Sequence, residues 1–239
     1  MKKLSLASVL LFVLCVSLNA QSLEDILGKY YDAIGGPDKM KAVKTLVQEG
    51  TMSMPMMGAE MQMTIMKKRP NFYKSVMDMQ GQKMIQAYDG KKAWMVSPMM
   101  GMMEPTVLEG EQAEGMLRQA EFDGDLIDYK KSGTKLELVG EVEFEGSPAY
   151  KIVATRKNDQ VVTFYIDKDT SLLIGTELTV NQQGQVMDIT LKFSDYEEVD
   201  GLMFSHTMEF IGMQEMSFDF TNIEINKDIP DTEFQMPVE

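Results

Sequence analysis

The chain has 239 residues and a formal net charge of -14 at pH 7, with 24 methionines, one histidine and one cysteine. An acidic surface repels phosphate backbones and anionic headgroups, so we expect no nucleic-acid partner. A zinc site needs several histidines or cysteines, and a Ser-His-acid triad has only His206 as its base. Phosphate-binding loops and dinucleotide fingerprints are also absent from the sequence. We therefore expect a protein that is not an enzyme and holds no cofactor or metal.

Residues 1–20 have the features of a secretory signal peptide. A pair of lysines precedes a short apolar run at 10–16, and a small-residue cleavage site ends at Ala20. The run is shorter than the roughly 20 residues that a spanning helix needs. Cys15 would leave with the signal, so the exported chain would have no thiol and no disulfide. We predict a periplasmic protein with one domain, residues 21–239.

The first predicted element is an amphipathic helix. Ser22 is a typical N-cap, and two acids follow it in the first turn. Apolar residues recur at helical spacing from Leu23 to Ile34, and Gly35-Gly36-Pro37 ends the pattern. A short second helical turn is expected before Val43.

From Thr45 onward the apolar period changes to two, which is typical of strands. Asp89-Gly90 is a strong hairpin signal. The predicted strands are 46–54, 60–68, 72–79, 84–88, 93–96, 135–145, 150–156, 161–166, 172–180, 186–193, 203–211 and 216–223. Strands and helices do not alternate, so we predict a mainly β (α+β) fold, a long antiparallel meander with a few short helices.

Two central segments depart from this pattern. Residues 97–108 have no clean period, and Met99–Met103 are expected to form a lid or rim outside the strands. Glu111–Ala120 is predicted to be a short helix, with Met116 and Leu117 on the side that faces the sheet.

The methionines allow three interpretations. They could fill an irregular core, line a pliable apolar cavity, or bind Cu(I) through thioethers, with Met54, Met56 and Met57 as the ligands. Inward positions on adjacent strands favour the core or the cavity. The residues concerned are Met52, Met54, Met61, Met63, Ile65, Met77 and Met79. His206 shares the apolar side of its strand with Phe204 and Met208, and we expect it to be a hydrogen-bonded, partly buried residue.

The stretch 68–98 resembles a known family. It contains Lys68-Arg69-Pro70-Asn71, a strand, Asp89-Gly90-Lys91, Trp94 and Ser97-Pro98, and the chain ends with Asp231, Phe234 and Pro237 at a D-x-x-F-x-x-P spacing. This pattern is similar to that of the LolA/LolB-like periplasmic carriers of outer-membrane lipoproteins. Family members often have a tryptophan where this chain has Ser75.

The resemblance implies an unclosed antiparallel β-barrel covered by short helices, with a hydrophobic cavity for lipoprotein acyl chains. Arg69 falls on the family's lid-controlling arginine and Tyr73 on its cavity aromatic. We expect Trp94, Met116 and Leu117 to complete the cavity lining.

Partners implied by the resemblance are lipoprotein acyl chains or free lipid, an inner-membrane lipoprotein-release transporter and an outer-membrane acceptor. We expect a monomer that shuttles between the two membranes of a Gram-negative cell. Two other hypotheses remain at this stage: a Met-rich periplasmic Cu(I)-binding protein, and a regulatory or interaction module with the same fold.

Overall fold

A computed structural model describes residues 21–182 and 185–237. The predicted signal peptide, residues 1–20, lies outside these ranges. Thirteen antiparallel strands form one sheet. In chain order they are β1 Thr45–Met54, β2 Ala59–Lys68, β3 Phe72–Met79, β4 Gln82–Tyr88, β5 Ala93–Ser97, β6 Met102–Val107, β7 Lys135–Phe144, β8 Ser147–Thr155, β9 Val161–Asp167, β10 Leu173–Gln182, β11 Gln185–Val199, β12 Leu202–Ile211 and β13 Glu215–Ile225.

Four short α-helices accompany the sheet: α1 Leu23–Ala33, α2 Pro37–Ala42, α3 Gly110–Ala120 and α4 Asp125–Ser132. The predicted cap of α1 is confirmed, because Ser22 accepts from the Asp25 amide while the Asp25 carboxylate accepts from the Ser22 amide. Across the described ranges, every helix is too short or too polar to cross a bilayer.

The order of strands makes the sheet an unclosed barrel. It runs β6-β5-β4-β3-β2-β1-β13-β12-β11-β10-β9-β8-β7, so the chain starts near the middle and β13 returns beside β1. The two edge strands, β6 and β7, are joined through α3 and α4. This architecture confirms the predicted fold class, an antiparallel half-barrel covered by short helices.

Three apolar clusters lie on one face, which we call the inner face. Paired side chains place Met63, Met52, Phe218 and Met208 on the same side of β2, β1, β13 and β12. Phe210, Leu191, Thr176, Phe164 and Ile152 continue this side across β12 to β8. Helices α1 and α4 cover the β8–β10 part, and α3 covers the β3–β5 part.

The opposite, outer face of β1–β5 is covered by the C-terminal tail. Phe234 is fully buried and packs with Val47, Met66 and Phe72. Its ring lies 5.3 Å from that of Phe72. The tail therefore closes the outer side of the strands whose inner side carries the methionines.

The structure corrects the sequence-based element prediction in the centre of the chain. Met102–Val107 forms the edge strand β6, where a lid or rim without strand structure was expected. Helix α4 was not predicted, and its Asp128 has non-helical dihedral angles that interrupt the helical pattern. Helix α3 was predicted correctly to within one residue.

Candidate functional site

The middle of the inner face is occupied by what we call the inner methionine cluster. Its buried members are Met52, Met61, Met63, Phe220 and Ile223. Met52 pairs directly with Met61 on β2, and Met63 pairs with Met77 on β3. Period-two alternation brings these side chains to one side, and the antiparallel register sets the thioethers next to one another.

Most of the predicted lining residues meet in this cluster. Met54, Ile65, Met77 and Met79 are partly buried around its core, together with Phe204, Met216 and Phe218. Every member of the inner methionine cluster belongs to a strand, whereas the clusters on either side contain helical residues. The cluster is thus bordered by helices on both flanks and formed by the sheet alone.

Tyr73 and Met116 lie in the neighbouring cluster. Tyr73 is buried on β3 against Ala93, and Met116 and Ala120 pack on them from α3. Burial raises the pKa of the Tyr73 hydroxyl. Ile65 contacts both clusters, so the two apolar regions are continuous along the inner face.

Trp94 was expected in the cavity, and the structure places it on the outer face. It pairs with Ala87 on β4, whereas Ala93, the preceding residue, is the one that packs against Tyr73. Its indole Nε1 donates to the Phe234 carbonyl at 2.9 Å, and only 2% of the residue is exposed. Trp94 therefore anchors the tail.

Leu117 was also expected in the lining and points elsewhere. Its residue surface is 42% exposed, while the adjacent Met116 is buried against the sheet. Leu117 lines a groove of about 940 Å³ beside Arg69 and the α3–α4 connection, which carries charged side chains of both signs. This groove lies outside the inner methionine cluster.

Arg69 joins three parts of the chain. Its Nη1 and Nη2 donate to the two carboxylate oxygens of Asp123, each at 2.6 Å. Its Nε donates to the Val43 carbonyl at 2.6 Å and Nη2 to the Met40 carbonyl at 3.2 Å. The guanidinium also lies 4.2 Å from the ring centroid of Phe122. A planar fork with several donors suits this combination of carboxylate, carbonyls and ring.

Six strongly exposed methionines lie near one end of the sheet. They occur after β1, in and just after the β5–β6 connection, and in the β12–β13 turn, and we call them the methionine rim: Met56, Met57, Met99, Met100, Met103 and Met213, with exposures of 61% to 80%. Of the predicted lid or rim Met99–Met103, the residues Met99, Met100 and Met103 are exposed, but Met102 and Met103 belong to β6 and so do not lie outside the strands.

The arrangement of Met54, Met56 and Met57 does not favour the copper hypothesis. Met54 packs into the inner methionine cluster, whereas Met56 and Met57 on the next helical turn point to solvent. The three thioethers are therefore divided between core and surface. Within residues 21–182 and 185–237, histidine, cysteine, aspartate and glutamate side chains also form no metal-binding group of three or more.

Several polar side chains lie on the inner face, and of these only His206 was predicted to be partly buried and hydrogen-bonded. Ser75, 3% exposed, and Ser97 are buried with hydroxyls that find no hydrogen-bond partner among the described residues. His206 is satisfied at Nδ1 by the Phe220 carbonyl, at 2.7 Å, but not at the buried Nε2, which lies 3.9 Å from a Glu197 oxygen. Lys67 reaches the Glu121 carbonyl at 3.2 Å.

Several solved structures have folds similar to that of this protein. A DUF1329 family protein from Desulfovibrio piger superposes with a TM-score of 0.61 at 15% identity, over 87% of this chain and 97% of that one. A LolA superfamily protein from Nitrosomonas europaea superposes with a TM-score of 0.57 at 16% sequence identity, and the superposition covers 90% of this chain and 98% of that one. A putative outer membrane lipoprotein-sorting protein domain from Vibrio parahaemolyticus superposes with a TM-score of 0.56 at 12% sequence identity, covering 88% of this chain and 94% of that one. The protein has a LolA-like fold, as the resemblance predicted.

A sequence-family model described as "Uncharacterized protein" matches residues 67–237. The match covers more than half of the chain, so the protein belongs to this family of uncharacterized proteins. No curated protein matches the chain in sequence.

Proposed function

We propose that the protein binds single lipid molecules, either the acyl chains of lipoproteins or free lipids, on its inner face, and that it does so without catalysis. The observation that carries this proposal is the inner methionine cluster, which is built from strands alone between two helix-covered clusters. Among the described residues, the side chains of this cluster come from strands and bury one another, so an apolar ligand would enter between side chains that no rigid helix locks in place.

Methionine suits a ligand of variable shape. Its side chain is unbranched and polarizable, so Met52, Met61 and Met63 can repack around chains of different length. Each methylene buried from water contributes roughly 0.8 kcal/mol, so even a medium-length chain binds strongly. A carrier consequently needs a device that lets the ligand leave.

We assign that device to Arg69. Its bonds to Met40, Val43 and Asp123 join α2 and the α3–α4 connection to the end of β2. These contacts exist together only while the helices lie on the sheet. Lifting the helices would break all of them at once, which makes opening a two-state step that a ligand can bias.

The proposed cellular role is lipoprotein sorting in the periplasm. The likeness in fold to a putative lipoprotein-sorting domain supports this role. An inner-membrane release transporter and an outer-membrane acceptor would then be its partners. The net charge of -14 favours handling of single molecules over binding to an anionic membrane surface.

The proposal can be tested with protein purified from the periplasm without detergent. We expect native mass spectrometry to find bound lipid, and the delipidated protein to take up a neutral fluorescent acyl ester. Met63→Asp introduces a charge into a side chain that is 4% exposed and should abolish uptake. Met77→Gln, at a partly buried site and with nearly the same volume, should weaken binding about tenfold, ~1.4 kcal/mol.

Val139→Asp provides the matched control, because Val139 is an exposed residue of β7 outside the inner methionine cluster. Circular dichroism establishes that each variant is folded. Absence of lipid in the purified protein together with absence of ester uptake would refute the proposal. Equal uptake by wild type and Met77→Gln would move the binding site away from the inner face.

A further inference from the structure

Lys67 stands apart from the other residues of the inner face. On β1, β2, β3 and β13, the side chains that share the side of Met63 are apolar or uncharged apart from this lysine. Its cross-strand neighbours are Leu46 on β1 and Tyr73 on β3. A lysine at this position places an ammonium group between two apolar clusters.

The contacts of this ammonium compensate its charge only in part. Nζ donates to the backbone carbonyl of Glu121 at 3.2 Å and lies 6.0 Å from the centroid of the Tyr73 ring. In the described part of the chain no carboxylate forms an ion pair with it. Burial lowers the pKa of Lys67 to about 8, and the negative charge of Glu121 opposes this only in part. An ammonium has three donors, so capacity for an anionic acceptor remains.

Neighbouring lysines on the outer face behave differently. Lys68 pairs with Asp231 at 2.6 Å, and Lys74 pairs with Glu233 at 3.3 Å. Both partners belong to the C-terminal tail, which supplies carboxylates on that side. Lys67 lies on the inner side of the same strand as Lys68, and no carboxylate of the described residues forms an ion pair with it.

A second polar group lies beside Lys67. Ser75 is two residues beyond Tyr73 on β3, which makes it a diagonal neighbour of Lys67 across the strand pair. Its hydroxyl is buried near the Tyr73 hydroxyl, but no hydrogen bond of standard geometry satisfies it among the described residues. A buried unsatisfied hydroxyl costs free energy unless a ligand or water satisfies it.

We infer that Lys67 binds the carboxylate of a free fatty acid, whose hydrocarbon chain extends along the inner face over Ile65, Met63 and Met61. The inference rests on the proposed lipid-binding function and adds the chemical class of the ligand. A charge-assisted bond between ammonium and carboxylate is strong in an apolar site. From Lys67 to Met61, β2 spans about 20 Å at ~3.3 Å per residue, enough for a long extended chain.

The competing role for Lys67 is structural. A cation at the C-terminal end of α3 stabilises that helix through its last carbonyls. Such a role requires no ligand and predicts no preference between a fatty acid and its ester. Ligand discrimination therefore separates the two roles.

The experiment compares myristate with methyl myristate at pH 7, by competition against the neutral acyl probe. We expect wild type to bind the acid at least tenfold more tightly than the ester. Lys67→Met should remove this preference by weakening acid binding while ester binding is retained. Lys67→Arg should keep most of the preference. Lys74→Met, on the outer face, is the matched control and should bind both ligands as wild type does.

Equal affinities of wild type for acid and ester, or a preference that survives in folded Lys67→Met, would overturn the inference and leave the proposed function standing. Failure of wild type to bind either ligand would refute both.

A pH series on wild type covers the case in which Lys67→Met does not fold. The preference for the acid should decline between pH 7 and 9.5 as Lys67 loses its proton, and a constant preference would also overturn the inference. The other titratable groups that face Lys67 are Glu121 and Tyr73, and burial raises the pKa of the Tyr73 hydroxyl above its ordinary value.

Discussion

The two faces of the same strands are covered in different ways. On the outer face, Phe234 and Ile229 of the tail pack on Val47, and the Trp94 indole bonds to the Phe234 carbonyl. On the inner face, the methionines of β1, β2 and β3 meet Phe and Ile side chains of β13, and all described members of this cluster belong to strands. The outer face is a permanent core of rigid rings. The inner face, built from unbranched methionine side chains, is the more adaptable of the two.

Of the substitutions proposed here, Phe234→Ala should lower the stability of the protein most, because it removes the ring that covers the outer face. It removes a fully buried ring from the outer face, which typically costs about 3–5 kcal/mol of unfolding free energy. Urea denaturation followed by Trp94 fluorescence reports it directly, because Trp94 bonds to this segment. An unchanged midpoint would mean that the tail contributes little to stability. Val139→Ala, at an exposed position, serves as the control.

Arg69→Leu should have the next largest effect. It leaves the Asp123 carboxylate without its bidentate partner, and we expect a loss of about 2–3 kcal/mol. If Arg69 is the gate, amide hydrogen exchange should accelerate in α2, α3 and α4 more than in the sheet, and the acyl probe should enter faster. Exchange that accelerates uniformly would indicate global destabilisation. Arg69→Lys keeps the positive charge but lacks the planar guanidinium, so its stability and its rate of probe entry should lie between those of wild type and Arg69→Leu.

Lys67 makes the stability of the ligand-free protein depend on pH. The pKa of Lys67 is lowered to about 8 in the folded protein. Between pH 8 and 10 this lysine is therefore protonated more fully in the unfolded chain than in the folded one, and the free energy of unfolding rises with pH. Lys67→Met lacks this dependence. Its stability relative to wild type should therefore decline by on the order of 2 kcal/mol from pH 7 to 10, as the shift in pKa implies. Denaturation curves that keep a constant difference over this range would contradict the burial of the ammonium.

Replacing methionine with leucine tests the pliability of the inner face with the smallest change in stability. Met52→Leu, Met61→Leu and Met63→Leu conserve apolar volume, and each should change stability by less than about 1.5 kcal/mol. The branched side chains adapt less readily, so the triple variant should accept a narrower range of acyl chain lengths. A competition series with esters of increasing length measures this range. An unchanged range would mean that methionine serves here only to fill the core.

The strand pattern was predictable because most strands alternate in polarity. Strand β6 was missed because Gly101 directly precedes it and Pro105 lies within its six residues. The side of Trp94 could not be read from the sequence because all five residues of β5, Ala-Trp-Met-Val-Ser, are apolar or small. Met116 and Leu117 are adjacent on α3, and only tertiary packing decides which of them faces the sheet.

The clustering of the methionines was predictable from period-two alternation, but the polar contacts were not. Asp123 is 54 positions from Arg69, and no local pattern connects them. Lys67 and Lys68 are adjacent on β2 and therefore point to opposite faces of the sheet. The sequence alone does not tell which of the two points inward, nor that the inward lysine has no ion-pair partner among the described residues. The orphan hydroxyl of Ser75 likewise becomes visible only once its neighbours are packed.

The pairing of β1 with β13 also has a kinetic consequence. Leu46 lies opposite Ile225, so β1, next to the centre of the sheet, finds one of its two neighbours almost at the end of the chain. Contacts between such distant segments are slow to form. Until β13 has emerged and docked, β1 keeps an unpaired edge and the inner methionines lack Phe218 and Phe220. The half-barrel therefore reaches its final form only after nearly the whole chain is available for folding.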